Sequence, residues 1–104
     1  MRASKREKLV VRGWKVADAA EFLSLTAEEE ALISLRLKLA EGLKVRRVSK
    51  RLTQVELAKA VHSSQSRVAK MEAGDPTVAI DLLVRSLIAL GASHGDLAKI
   101  IAAR

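Results

Sequence analysis

The chain has 104 residues, enough for one modest hydrophobic core and too few for two. Hydrophobic residues make up 49% and charged residues 30%, which excludes a disordered composition, and the absence of cysteine excludes a disulfide scaffold, thiolate metal ligands and a thiol nucleophile. Nineteen Lys and Arg against twelve Asp and Glu leave a net charge of +7, which attracts polyanions, while no apolar run approaches the roughly 20 residues of a membrane-spanning helix.

Residues 1–15 hold six basic residues, show no helical period and are interrupted by Gly13, so they read as a basic, flexible arm. Their apolar stretch, residues 9–11, is too short for a signal peptide. Trp14 reads either as an anchor for a partner or as a side chain folded back onto the domain. Residues 16–104 read as a single helical domain. A short helix is expected over 17–25, with Phe22 and Leu25 on one side. Thr26 then opens a capping box with Glu29, and Glu28, Glu29 and Glu30 fall in the first turn, where the helix dipole favours them. Three adjacent helical carboxylates do not converge on one point, so they are not a metal site.

The helix after Thr26 is long. Leu32, Leu35, Leu39 and Leu43 form its core stripe, Gly42 marks a bend or a close contact, and the helix fades near Lys50 and Arg51. Lys44, Arg46, Arg47, Lys50 and Arg51 crowd its end. Alone, that cluster reads as a solvated helix terminus favoured by the dipole. A second helix is expected from Thr53 or Gln54 to Val61. A third runs from Gln65 to about Ala73, with Ser64 as its N-cap and Gly74 as its stop. Asp75 and Pro76 make a turn. A fourth helix buries Ile80, Leu83, Val84, Leu87 and Ile88 and ends at Gly91. A fifth starts at Ser93, is capped by Asp96, and buries Leu97, Ile100 and Ile101. With Trp14 and Phe22 the sole aromatic residues, the core must be aliphatic.

The second and third of these helices are separated by residues 62–64 alone, which forces a sharp angle and a close crossing, with the small Ala58 at the contact. If Leu57, Ala58, Val61, Val68 and Met71 are buried, the third helix turns Gln65, Ser66, Ala69 and Lys70 outward, with Arg67 at the border. That face is polar and carries positive but no negative charge. It suits a major groove, where Gln pairs with adenine and Lys or Arg with guanine.

The stretch LTQVELAKAVHSSQSRVAKMEAG, residues 52–74, resembles the helix-turn-helix of the Cro/C1-type (XRE) DNA-binding proteins, the group that includes the lambdoid phage repressors. The five-helix plan resembles theirs too, and residues 16–90, from AEFL to GDPTVAIDLLVRSLIAL, are similar to HigA-like antitoxin regulators. The resemblance implies an all-α, lambda-repressor-like domain with its helix-turn-helix at 54–73, preceded by a short helix and a basic arm. It implies base reading by Gln65, Ser66, Arg67 and Lys70. Gln54 falls where the family braces a phosphate and the recognition helix, and Lys44, Arg46 and Lys50 are expected to add phosphate contacts. Arg47 and Glu72 match the family's buried ion pair. Two positions depart from the pattern: His62 and Arg51 stand where the family favours glycine.

The function expected is sequence-specific binding of double-stranded DNA by a homodimer acting as a transcriptional repressor in the cytoplasm, on the nucleoid. The alternative is an antitoxin that covers a toxin protein and autoregulates its operon. No enzymatic activity, metal or cofactor is expected. His62 and His94 read as turn and surface residues, and Ser63, Ser64 and Ser66 as turn and cap residues, with no acid, base and nucleophile assembled by spacing.

Overall fold

A computed structural model describes residues 26–103. The readings for the arm at 1–15, for Trp14 and for a helix over 17–25 lie outside the described residues. The chain's contacts group into two units, Met1–Ser34 and Leu35–Arg104. The described residues form five helices and no strand: α1 (Ala27–Ser49), α2 (Gln54–Ala60), α3 (Gln65–Glu72), α4 (Ile80–Ala89) and α5 (His94–Ala102). The domain is all-α.

Local chemistry sets the helix starts. Thr26 and Glu29 cap α1 reciprocally, the Glu29 amide donating to Thr26 Oγ1 at 3.1 Å and the Thr26 amide to Glu29 Oε1 at 2.9 Å. Thr53 and Glu56 form the same box at α2, and Ser93 and Asp96 at α5. The donors of Thr53 hold the Glu56 carboxyl below its ordinary range, and those of Ser93 do the same for Asp96. At α3, Ser64 Oγ accepts from the Arg67 amide at 3.1 Å.

Helices α1 to α4 share one kind of ending. A residue in the left-handed region follows each helix, and the next amide turns back to a carbonyl five residues earlier. Those residues are Arg51 (φ 58°), His62 (φ 56°), Gly74 (φ 72°) and Gly91 (φ 89°). The returning bonds run from Leu52 to Arg47, Ser63 to Ala58, Asp75 to Lys70 and Ala92 to Leu87, at 2.8–3.1 Å. Gly74 has a second reason to be glycine: a Cβ there would sit 2.7 Å from Leu37 Cδ2. Arg51 and His62 adopt the conformation with a Cβ in place, at a steric cost of about 1–2 kcal/mol each. Arg51→Gly and His62→Gly are each expected to raise stability by about 0.5–1 kcal/mol, since glycine's greater freedom in the unfolded chain offsets part of the gain. That corresponds to a rise of about 2–8 °C in a thermal melt, and a fall would contradict this account.

The core collects Leu39 and Leu43 from α1, Leu57 and Ala58 from α2, Val68 and Met71 from α3, Leu83 and Leu87 from α4, and Val78, Leu90 and Ala92 from the connections. Ser86 is fully buried beside Met71, its hydroxyl donating to the sulfur at 3.5 Å. Gly42 permits a close contact: a Cβ there would lie 2.9 Å from Ile100 Cδ1, so α5 packs against α1 at this turn.

Three apolar expectations need correction. Leu32 (48% exposed), Ile88 (49%) and Ile101 (46%) are not buried, although each continues its helix's apolar stripe. Leu97 and Ile100 are partly buried against the core. Two helices are also slightly shorter than expected, since Val61 and Ala73 serve as C-caps of α2 and α3.

Candidate nucleic-acid interface

Helix α3 is built to present one face. Val68 and Met71 point into the core with no exposed surface. Gln65, Ser66, Arg67 and Lys70 are exposed and Ala69 is partly exposed. The single carboxylate of α3, on Glu72, is turned inward, so no acid lies on the outer face.

Glu72 anchors the arrangement. Its side chain is 4% exposed and that of Arg47 13%. Arg47 Nε donates to Oε2 at 2.5 Å and Nη2 to Oε1 at 3.1 Å, while Nη1 donates to the Leu52 carbonyl at 2.7 Å. This ties α1 both to the end of α3 and to the turn before α2. The bond to Glu72 pushes the Arg47 guanidinium above its ordinary pKa, keeping it charged despite desolvation.

The network continues to the start of α3. Gln54 Nε2 donates to Glu72 Oε1 at 3.1 Å, and Gln65 Nε2 donates to Gln54 Oε1 at 2.6 Å. Gln54 therefore braces both ends of α3. A primary amide has two N–H donors and an oxygen with two lone pairs. After these bonds, Gln65 retains a carbonyl oxygen and one N–H, the donor–acceptor pair that an adenine edge can take, and Gln54 retains one N–H.

The expected phosphate contacts are dispersed. Lys44 is exposed and lies one turn after Ala40, which packs near Gly74 at the end of α3. Arg46 instead meets Asp96 of α5, Nη2 to Oδ2 at 3.2 Å. Lys50 Nζ lies over Gly91, 3.9 Å from where its Cβ would stand. Lys38, Gly42 and Arg46 fall on one row of α1, and Lys38 donates to the Ile101 carbonyl at 3.2 Å, so this row runs along α5. The basic run is one cluster in sequence and at least two surfaces in space.

The structure adds Thr77 to the candidates, which the sequence reading missed. Ser64, Ser66, Arg67, Lys70, Thr77 and Val78 line a depression of about 290 Å³ along the flank of α3. Asp75 Oδ1 accepts from the Thr77 amide and hydroxyl at 2.8 and 2.7 Å, bonds that hold the Asp75 carboxyl low. Arg36 of α1 donates to the Val78 carbonyl and fixes the other side of this loop. The Asp-Pro-Thr sequence is the available signal, since Asp favours such side-chain turns.

Two short helices crossing over the four-residue connection 61–64, the second with one buried and one basic polar face, define a helix-turn-helix DNA-binding domain. A family model described as helix-turn-helix domain matches residues 38–100, more than half of the chain, and the protein belongs to that family. No curated protein and no solved structure gives a match. Among the described residues no helix is long and apolar enough to cross a membrane, and no group of three His, Asp or Glu could hold a metal ion.

Proposed function

We propose that this protein binds a specific double-stranded DNA sequence as a homodimer and represses transcription. The observation that carries this reading is the outer face of α3, whose first residue, Gln65, is oriented through Gln54 while its own base-pairing atoms remain available. Gln65, Ser66, Arg67 and Lys70 read base edges, and Gln54 and Lys44 grip phosphates. Arg46 and Lys50 add to the attractive field from the side of the domain. The similarity to Cro/C1-type regulators supports the same assignment.

The dimer reading rests on apolar surface. Ile101 of α5 and Ile88 of α4 are each nearly half exposed, and Leu97 and Ile100 are incompletely covered. A twofold contact through this region sets two recognition helices about 34 Å apart, one turn of DNA. The antitoxin reading remains the alternative. The outward face of α1 carries Val45 and Val48, each 56% exposed, a surface for a protein partner away from the core stripe. A small toxin-like reading frame beside the gene favours that alternative.

Selection of bound sequences from a random DNA pool tests the proposal, with sedimentation of the recovered complex. The expected result is an inverted repeat with half-sites 10–10.5 base pairs apart, or a multiple, bound by two protomers. A pool that never converges, or a strict one-to-one complex, contradicts it.

A further inference from the structure

A second groove lies beside the helix-turn-helix, between the α2–α3 turn and α4, with a volume of about 600 Å³. His62, Ser63, Arg67, Leu82, Arg85 and Ala89 contribute to its walls, and no acidic residue does. Neither Arg67 nor Arg85 has an ion-pair or hydrogen-bond partner for its guanidinium among the described residues. Two exposed arginines thus line one open groove whose walls hold no acidic residue. Both are therefore available to an anion, and the planar fork of arginine is matched to carboxylate or phosphate oxygens.

Two features narrow the class. The Ser63 hydroxyl joins the two arginines, a donor set larger than a carboxylate's two oxygens need and suited to phosphate. The cavity lies within the 300–1,000 Å³ range of small-molecule sites, and Val61, Leu82 and Ala89 supply apolar contact for the body of the ligand. We propose that this groove binds a small organic phosphate and that its occupancy weakens DNA binding. The link is Arg67. It lines this groove and also the depression it shares with Lys70 and Thr77 on the flank of the readout face. A phosphate held between Arg67 and Arg85 draws Arg67 away from DNA. This coupling rests on the DNA-binding function proposed above; the site itself does not.

The test uses the full chain, with inorganic pyrophosphate as the probe at constant ionic strength, followed by NMR of the arginine Nε–H groups and backbone amides. Saturable shifts confined to Arg67, Arg85 and residues 60–64 are expected. Arg85→Gln is expected to weaken pyrophosphate binding roughly tenfold or more, the loss of a charge-assisted contact, with an unchanged melting temperature. Saturating pyrophosphate is expected to weaken specific DNA binding several-fold in the wild type and not in Arg85→Gln. Unsaturable shifts spread over all basic side chains, or pyrophosphate affinity unaltered by Arg85→Gln, would overturn the site. A wild-type NMR response with no effect on DNA affinity would overturn the coupling. If Arg85→Gln weakens DNA binding with no pyrophosphate present, the groove holds a phosphate of the duplex and the proposal fails. Because the NMR arm contains no DNA, failure of the DNA reading is distinguishable from failure of the site.

Discussion

Glu72→Ala is expected to cost about 3–5 kcal/mol of stability, the loss typical when one partner of a buried ion pair is removed. The carboxylate accepts from Arg47 Nε, Arg47 Nη2 and Gln54 Nε2, and removing it leaves the Arg47 guanidinium, 13% exposed, with the Leu52 carbonyl as its remaining acceptor. For a domain this small, each kcal/mol moves the melting temperature by about 4–8 °C, so a fall on the order of 12 °C or more should appear in a thermal melt. A total stability of about 5–15 kcal/mol makes this a large fraction of the whole. Replacing both partners with apolar residues, Arg47→Met with Glu72→Leu, should restore much of the loss, because no charge is then stranded. That double variant should still bind specific DNA poorly, since Gln54 has lost its anchor and Gln65 its orientation. A loss below about 1 kcal/mol for Glu72→Ala would show that the pair is not the tie between α1 and α3 that its geometry indicates.

Specific affinity is expected to fall about 10³–10⁵-fold between 50 and 200 mM salt, if the dimer neutralises roughly 6–10 phosphates and releases their counterions. The net charge of +7 per chain supplies the field. Lys44→Glu together with Lys50→Glu should weaken specific and nonspecific duplexes alike and flatten the salt slope, because phosphate contacts carry no sequence information. Lys44 should account for more of this than Lys50, whose ammonium lies over Gly91 at the end of α4. Titrations at several salt concentrations measure both effects. A nearly flat salt dependence for the wild type would contradict the phosphate role.

Much of the fold was legible because its signals are local. Thr26, Ser64 and Ser93 announce helix starts through side chains that reach three residues on, and Gly74 and Gly91 mark stops that need positive φ. The fate of the apolar stripes was less legible. Period alone gives the direction of a helix face but not where its neighbours end, so Ile88 and Ile101 looked like core and are half exposed. The basic run at 44–51 misleads in a different way. A helix advances about 100° per residue, so Arg46 turns to Asp96 while Arg47 turns inward to Glu72. The pairing of Arg47 with Glu72, 25 residues apart, rested on the family resemblance, because no local pattern encodes it. The same holds for the bond between Gln54 and Gln65. Each amide can be placed on its helix from sequence, but their meeting depends on how α2 crosses α3.

The central claim is that α3 reads bases through Gln65, and the most direct test is Gln65→Ala titrated against the selected operator and its single-base variants. The expected result is a loss of about 1–3 kcal/mol at the operator and relaxed preference at one base pair per half-site. Nonspecific affinity and melting temperature should stay nearly unchanged, because the side chain is exposed and bonded only to the Gln54 amide. An equal loss of affinity for every sequence would make Gln65 a backbone contact and contradict the readout assigned to α3.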